Sequence, residues 1–327
     1  MYKVFVDGQV GTTGLQINSY LKDRDDIQLL HISDVDRKDI VVKKDLLNSS
    51  DLVILCLPDD AARESVDLID NDQVKVLDAS TAHRVSRNWV YGLPELDREY
   101  RDRIKSARFV SNPGCYPTGF ILALAPLVRA GTLPAGSLIS AHAISGYTGG
   151  GRQLIEKYEE RRRTDPAGSG PAGSGPDGAG PVRPYGLQLN HKHLPEMQHY
   201  SGLDSAPLFT PSVGPFAQGL LLHIPLFRSQ LNAGADLDHV YETLVSCYQE
   251  EACIKIHPAN DDSELDDGFL DPQQNNGTNR VDIFLYGSAQ QMLLVARLDN
   301  LGKGAAGAAV QNLNLMLGCE ELFGLTT

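Results

Sequence analysis

The chain has 327 residues, of which 42% are hydrophobic and 22% charged, a length that holds two domains with cores of their own. Its 42 Asp and Glu against 29 Lys and Arg leave a formal charge of -13. That balance argues against a surface for nucleic acid or anionic membrane, and any anionic substrate has to be met by local Arg, Lys or His.

Residues 2–6 predict a short buried strand. The loop Asp7-Gly8-Gln9-Val10-Gly11-Thr12-Thr13-Gly14 follows, then a helical pattern over residues 15–21. Strand, glycine loop and helix is the setting of a dinucleotide fingerprint, with GxxGxxG spacing in place of GxGxxG. The physics is the same: glycines allow a tight turn, and the helix N-terminus receives a pyrophosphate. Gly8, Gly11, Thr12, Thr13 and Gly14 are expected to hold a cofactor. A strand over 27–32 completes a βαβ unit. Beyond it, Asp34 or Asp36 would bind a ribose 2′-hydroxyl, and Arg37 or Lys38 a 2′-phosphate; the sequence leaves both open. Residues 51–57 read as a central parallel strand, ending where Leu57 and Pro58 would lie against the cofactor. A strand over 74–77 leads into Asp78-Ala79-Ser80-Thr81-Ala82-His83-Arg84, where Arg84 has the fork for a carboxylate or phosphate. Residues 91–96 read as a structured loop and 109–111 as a further strand.

The chemistry is expected at Ser111-Asn112-Pro113-Gly114-Cys115-Tyr116-Pro117-Thr118. A Pro-Gly turn precedes a cysteine, Pro117 suits an opening helical turn, and an apolar run covers residues 120–128. Cys115 would face the free N–H groups of a helix start, which favour the nucleophilic thiolate. The five cysteines show no C-x-x-C spacing and read as free thiols of a reducing compartment, with no zinc site. No secretory leader and no bilayer-length apolar run is read, so a cytoplasmic enzyme is expected.

A strand over 137–145 is followed by Gly146-Tyr147-Thr148-Gly149-Gly150-Gly151-Arg152, where Gly146 and Gly149 would let a ligand or another chain segment approach the backbone, or serve as a hinge. A charged, exposed helix spans 153–163. Residues 166–181 repeat as PAGSG, PAGSG, PDGAG, P, a composition that cannot offset its ordering entropy; a mobile insertion over 164–182 is expected. In His191-Lys192-His193-Leu194-Pro195-Glu196, two histidines and a carboxylate beside a lysine offer a base and an anion site. Strands are expected over 220–225, 280–286 and 292–298, an amphipathic helix over 237–247, and an exposed acidic stretch over 261–271. In Asp299-Asn300-Leu301-Gly302-Lys303-Gly304, Asn300 and Lys303 would stand at the start of a small-residue helix, another place for an anion.

Together DGQVGTTG, LCLPD, DASTAHR, YGLPEL, NPGCYPTG, SGYTGGG, HKHLPEM and DNLGKGAAGAAVQ resemble the shorter N-acetyl-gamma-glutamyl-phosphate reductases, over the full length. The resemblance implies an α/β chain: a Rossmann domain over 1–114 completed by 300–327, an α+β catalytic and dimerisation domain over 115–299, and a homo-oligomer, dimer or tetramer. It implies NADPH-dependent reduction of an acyl phosphate to an aldehyde. Cys115 maps to the nucleophile and His191 to the acid/base partner, which would titrate near its ordinary range. Gly146, Gly149 and Asn300 are assigned to NADP(H), and Arg84, His193, Glu196 and Lys303 to the substrate. The PAGSG repeat lengthens one loop, and His83 stands where many members carry an aromatic. Rival readings are an aspartate-semialdehyde dehydrogenase, one methylene apart in substrate, and a non-catalytic NADP sensor.

Overall fold

The computed structural model describes residues 1–33, 35–164 and 181–327. The repeat, apart from Pro181, lies outside the described residues, as does Asp34. The chain divides into two compact units, Met1–Gly114 with Ala305–Thr326, and Cys115–Gly304.

The first unit carries β1 (Tyr2–Asp7), α1 (Thr12–Leu21), β2 (Ile27–Leu30), α2 (Ile40–Ser49), β3 (Leu52–Leu55), α3 (Asp59–Asp67), β4 (Lys75–Asp78), β5 (Val90–Tyr91), α4 (Tyr100–Ser106) and β6 (Phe109–Ser111). The six strands form a parallel sheet in the order β2-β1-β3-β4-β6-β5. Period-two alternation assigns their side chains to two cores. Val4, Val6, Leu52, Ile54 and Leu77 join Ile17 and Leu21 of α1 and Ile104 of α4. Phe5, Val53, Leu55 and Val76 join Leu47 of α2 and Ala62 of α3. Burial on both faces explains why these strands are apolar throughout.

The second unit opens with α5 (Cys115–Arg129), followed by β7 (Ser140–Ser145), α6 (Gly151–Thr164), β8 (Arg183–Pro184), α7 (Leu194–Ser201), β9 (Leu208–Val213), β10 (Leu220–Phe227), α8 (Leu237–Tyr248), β11 (Ile254–Ile256), β12 (Leu265–Asp266), β13 (Phe269–Leu270), β14 (Val281–Gly287) and β15 (Gln291–Leu298). A mixed seven-stranded sheet runs β11-β14-β15-β10-β7-β9-β8. Gly119 of α5 comes up against Ala296 and Leu298 of β15. Pro126 lies inside α5 and has no N–H to give the Leu122 carbonyl. The Tyr248 hydroxyl of α8 donates to that oxygen instead, at 2.8 Å. The other face of the sheet carries Ile144, Leu221, Phe284, Leu293, Val295 and Tyr286; in the same register Leu208 and Phe227 are 49% and 56% exposed.

After a π-helical turn, Gly302–Ala306, the chain rejoins the first unit as α9 (Gly307–Leu317). Its Ala309, Val310 and Leu313 complete the core that contains α1 and α4. Two stretches differ from the sequence expectation. The acidic segment 261–271 contains the β12–β13 hairpin, whose turn places Asp267 and Gly268 at φ +49 and +84. The final helix begins later than residue 300, behind the π turn.

Candidate active site

In the first unit, strand order reverses direction between β1 and β3, the crevice where open α/β sheets bind ligands. Both sides of that crevice were legible in the sequence. β1 ends at Asp7, and Gly8 follows at φ +95 with its Cα so near β3's continuation that a Cβ would lie 2.3 Å from the Cys56 oxygen. The Gly11 N–H donates to the Gly8 oxygen at 3.0 Å. Gly11 caps α1 in an extended conformation with no side-chain hydrogen bond, and the first turn, Thr12 to Gly14, has no acidic residue. Its N–H groups are thus left to an anion, and a pyrophosphate fits the cradle. Leu57 and Pro58 follow β3, Pro58 as the residue before α3. In the loop after β2, Asp36 accepts from Ser33 Oγ at 2.7 Å.

Arg84 is buried and donates to the Ala79 oxygen at 3.1 Å. His83 is fixed by Asp78, Nδ1 to Oδ2 at 2.7 Å, and stacks on Trp89 with centroids 4.1 Å apart. The imidazole therefore packs as an aromatic would at this position. Cys56 is inert: burial, then Asp78 and Asp7, pushes its thiol up to about 12.

In the second unit Cys115 is itself the first residue of α5, so Pro117 is third in the helix, not first. The sulfur sits half-buried at the positive end of the helix dipole. The neighbouring Tyr116 ring is buried among His191 (centroids 5.9 Å), His193 (6.0 Å) and Phe209 (5.0 Å). Tyr185 donates its hydroxyl proton to Tyr116 Oη at 3.2 Å and has its ring 5.7 Å from that of His191. Burial raises the Tyr116 hydroxyl well above its ordinary range, with Tyr185 and Cys115 adding to it. Burial raises Tyr185 to about 12, and Cys115 adds to this too. Both phenols thus stay protonated beside the sulfur. The structure gathers His191 and His193 around two tyrosines that sequence reasoning passed over; Tyr116 stood inside the motif, next to Cys115, and Tyr185 six residues before His191.

The expected titration of His191 needs correction. Burial, with Lys192 adding to it, lowers the imidazole to about 4. Its Nδ1 accepts the His193 N–H at 3.2 Å, so the neutral ring carries its proton on Nε2. His191 is therefore a neutral donor at pH 7, not the cation that would hold a thiolate.

Gly146, Gly149 and Asn300 also come together. Asn300 Oδ1 accepts the Gly219 N–H at 2.8 Å, and Nδ2 donates to Thr148 Oγ1 at 3.0 Å. The Gly146 N–H donates to the Gly219 oxygen at 2.9 Å. Gly304 abuts Cys115, for a Cβ there would lie 2.7 Å from Cys115 Cβ. Lys303 and Glu196 are buried at 0% and 1% exposure. Among the described residues no group of three or more His, Cys, Asp or Glu is placed to hold a metal ion.

A dinucleotide cradle in one unit and a cysteine-headed helix in the other define a two-domain dehydrogenase of the aldehyde and acyl type. Residues 4–106 match the family described as semialdehyde dehydrogenase, NAD binding domain, and residues 115–300 the semialdehyde dehydrogenase, dimerisation domain. Aspartate semialdehyde dehydrogenase II from Vibrio cholerae, complexed with ASA, shares the fold at TM-score 0.73 and 16% identity, over 97% of this chain and 98% of that one. N-acetyl-gamma-glutamyl-phosphate reductase 2 of Nostoc sp. is 50% identical over 99% of both chains. The reductase of Rhizobium meliloti is 44% identical over 96% of this chain and 98% of its own. The chain belongs to the N-acetyl-gamma-glutamyl-phosphate reductase family.

Proposed function

We propose that this chain reduces N-acetyl-glutamyl 5-phosphate to N-acetyl-glutamate 5-semialdehyde, releasing phosphate, as a step of arginine biosynthesis. One observation carries the reading: the motif cysteine heads α5 amid His191, Tyr116 and Tyr185, in a chain 50% identical to a reductase of that name. The Cys115 thiolate attacks the acyl carbon; the carbon–sulfur bond forms as the carbon–oxygen bond to phosphate breaks, leaving a thioester. NADPH supplies the hydride when bound. The tetrahedral oxyanion meets N–H groups at the start of α5. His191 donates a hydrogen bond from Nε2 to that oxyanion, and collapse of the tetrahedral alkoxide breaks the carbon–sulfur bond, returns the thiolate and frees the aldehyde.

The Gly8–Gly14 loop, Leu57 and Pro58 hold the dinucleotide, with Gly146, Gly149 and Asn300 as further contacts. Arg84, His193, Glu196 and Lys303 bind the substrate's anionic groups. Two copies pair as a homodimer through the open face of the seven-stranded sheet. The enzyme works in the cytoplasm, a reading that the free cysteines and a biosynthetic role support. Against the rival with aspartyl phosphate stands near-full-length identity of 43–50% to the named reductases; the structural likeness to aspartate semialdehyde dehydrogenases shows fold alone.

Cys115→Ser tests the reading. Reduction should fall to background while NADPH still binds, and intact-mass analysis of the unsubstituted enzyme mixed with acyl phosphate alone should show an acyl adduct on Cys115. Near-normal turnover in the variant refutes the assignment.

A further inference from the structure

Asp299 has no part in the scheme above, yet it is one of the most fully engaged carboxylates of the second unit. It is 1% exposed. Oδ1 accepts the Leu301 N–H at 2.9 Å, Oδ2 accepts the Gly277 N–H at 2.8 Å, and Gln218 Nε2 donates to both oxygens at 3.1 Å. Its main-chain oxygen accepts the Gly304 N–H at 2.9 Å. One residue therefore fixes both ends of the turn from 299 to 304 and ties it to two other loops.

That turn leads to the nucleophile. At Gly304 a Cβ would lie 2.7 Å from Cys115 Cβ, 3.2 Å from Cys115 Cα and 3.0 Å from the Asp299 oxygen. The backbone at 304 is thus a wall against which the cysteine side chain rests, and Asp299 sets where the wall stands. Asn300, the next residue, extends the same frame to Gly219 and Thr148.

All the hydrogen-bonding partners of the Asp299 side chain are donors, which is why a carboxylate is needed. An amide would turn an NH2 group toward either Leu301 or Gly277 and leave a buried N–H without an acceptor. Gln218 alone can adapt, because its amide can rotate.

We propose that Asp299 is a positioning residue for Cys115: it seats Gly304 against the nucleophile and so fixes the rotamer from which the sulfur attacks. This rests on the reading of Cys115 as the nucleophile. The residue touches neither substrate nor cofactor in this scheme; it acts through the turn.

The test compares Asp299→Ala, Asp299→Asn, Gln218→Ala and Val240→Ala. The last removes core side-chain volume from α8, away from the turn, and controls for lost stability. Three quantities are read on each: melting temperature, kcat with the KM for NADPH, and the rate of iodoacetamide alkylation at Cys115, localised by peptide mass spectrometry. Misplacing a reacting group by about 1 Å costs on the order of 100-fold, so Asp299→Ala should lose about that much in kcat with the NADPH KM little changed. Alkylation of its Cys115 should slow by about tenfold, and Asp299→Asn should fall between it and the unsubstituted enzyme. Val240→Ala should lower the melting temperature but keep both rates. If Asp299→Ala does not fold, Gln218→Ala, which leaves the two backbone donors in place, should still slow both rates by roughly threefold or more.

Folded Asp299 variants with kcat and alkylation rates equal to those of the unsubstituted enzyme overturn the proposal. So does an equal loss of both rates in Val240→Ala at the same melting temperature, and so does an unaltered Gln218→Ala. The two readings separate cleanly: an unsubstituted enzyme that keeps its turnover after Cys115 is alkylated sinks the nucleophile itself. One that is inactivated while the Asp299 variants react normally sinks only the positioning role.

Discussion

Burial, with Lys192 beside it, lowers the His191 imidazole to about 4, and this makes two measurable claims. The first is kinetic. A group neutral down to that value puts no imidazole step near pH 6.5 on the acid limb of kcat/KM; the loss due to His191 should appear only toward pH 4. A profile from pH 4 to 9 checks it, and an inflection near 6.5 that vanishes in His191→Gln would show the ring titrating normally. The second is thermodynamic. Between about 4 and 6.5 the unfolded chain binds a proton that the folded chain does not, so stability rises with pH across that window and is flat above it. His191→Gln should flatten that slope in urea melts at pH 5 and 7. At this scale turn chemistry and clustered titratable groups mark Cys115 and His191 in the sequence, and the structure puts Cys115 at the head of α5 and the His191 ring beside Tyr116. Tyr116, Tyr185 and Asp299 carry no such mark. A phenol's role depends on which sulfur and imidazole it meets, and a carboxylate's on which backbone donors surround it; neither leaves a pattern in one dimension.

Elements were easier to read than their ends. The parallel strands of the first unit announce themselves as apolar runs because both faces are covered, and the glycine loop announces α1. The helix nonetheless starts at Thr12, three residues before the expected pattern, since its first turn is polar and open to a ligand. The β12–β13 hairpin was hidden in an acidic stretch: only its Asp267-Gly268 turn favours it, and Glu264 nearby is spent on the buried Arg297 at 2.8 Å. The π turn Gly302–Ala306 has no signature in sequence at all, though such turns gather at functional sites. The glycine loop makes the prediction at this scale. Gly8→Ala would force a Cβ to within 2.3 Å of the Cys56 oxygen at φ +95, a strain of about 1–3 kcal/mol if the loop stays and a displaced loop if it does not. NADPH affinity should fall by about tenfold or more, read by fluorescence titration. An unchanged affinity would remove the loop from the cofactor site.

In the whole molecule, each unit has its own core, but among the described residues only one face of the seven-stranded sheet is packed by helices of its own unit. The opposite face keeps Leu208 and Phe227 at 49% and 56% exposure, with Ile144, Leu293 and Tyr286 half-buried on the same face. His142 and His223 face each other across β7 and β10 on the same side. Part of this face, at Leu221, Phe284 and Val295, is already covered within one copy, and the exposed remainder includes Leu208 and Phe227. The matched dimerisation domain spans this sheet, and the homodimer proposed above would pair through this face. Phe227→Asp puts a charge at the end of β10 on that face. Its side chain is more than half exposed, so the fold of a single copy should survive, while burying the new carboxylate against a second copy is costly. Sedimentation velocity at micromolar concentration should show the variant shifted to monomer at an unchanged melting temperature in dilute solution. A variant that sediments with the unsubstituted dimer would mean that copies meet elsewhere, and that the exposed leucine and phenylalanine are ordinary surface residues.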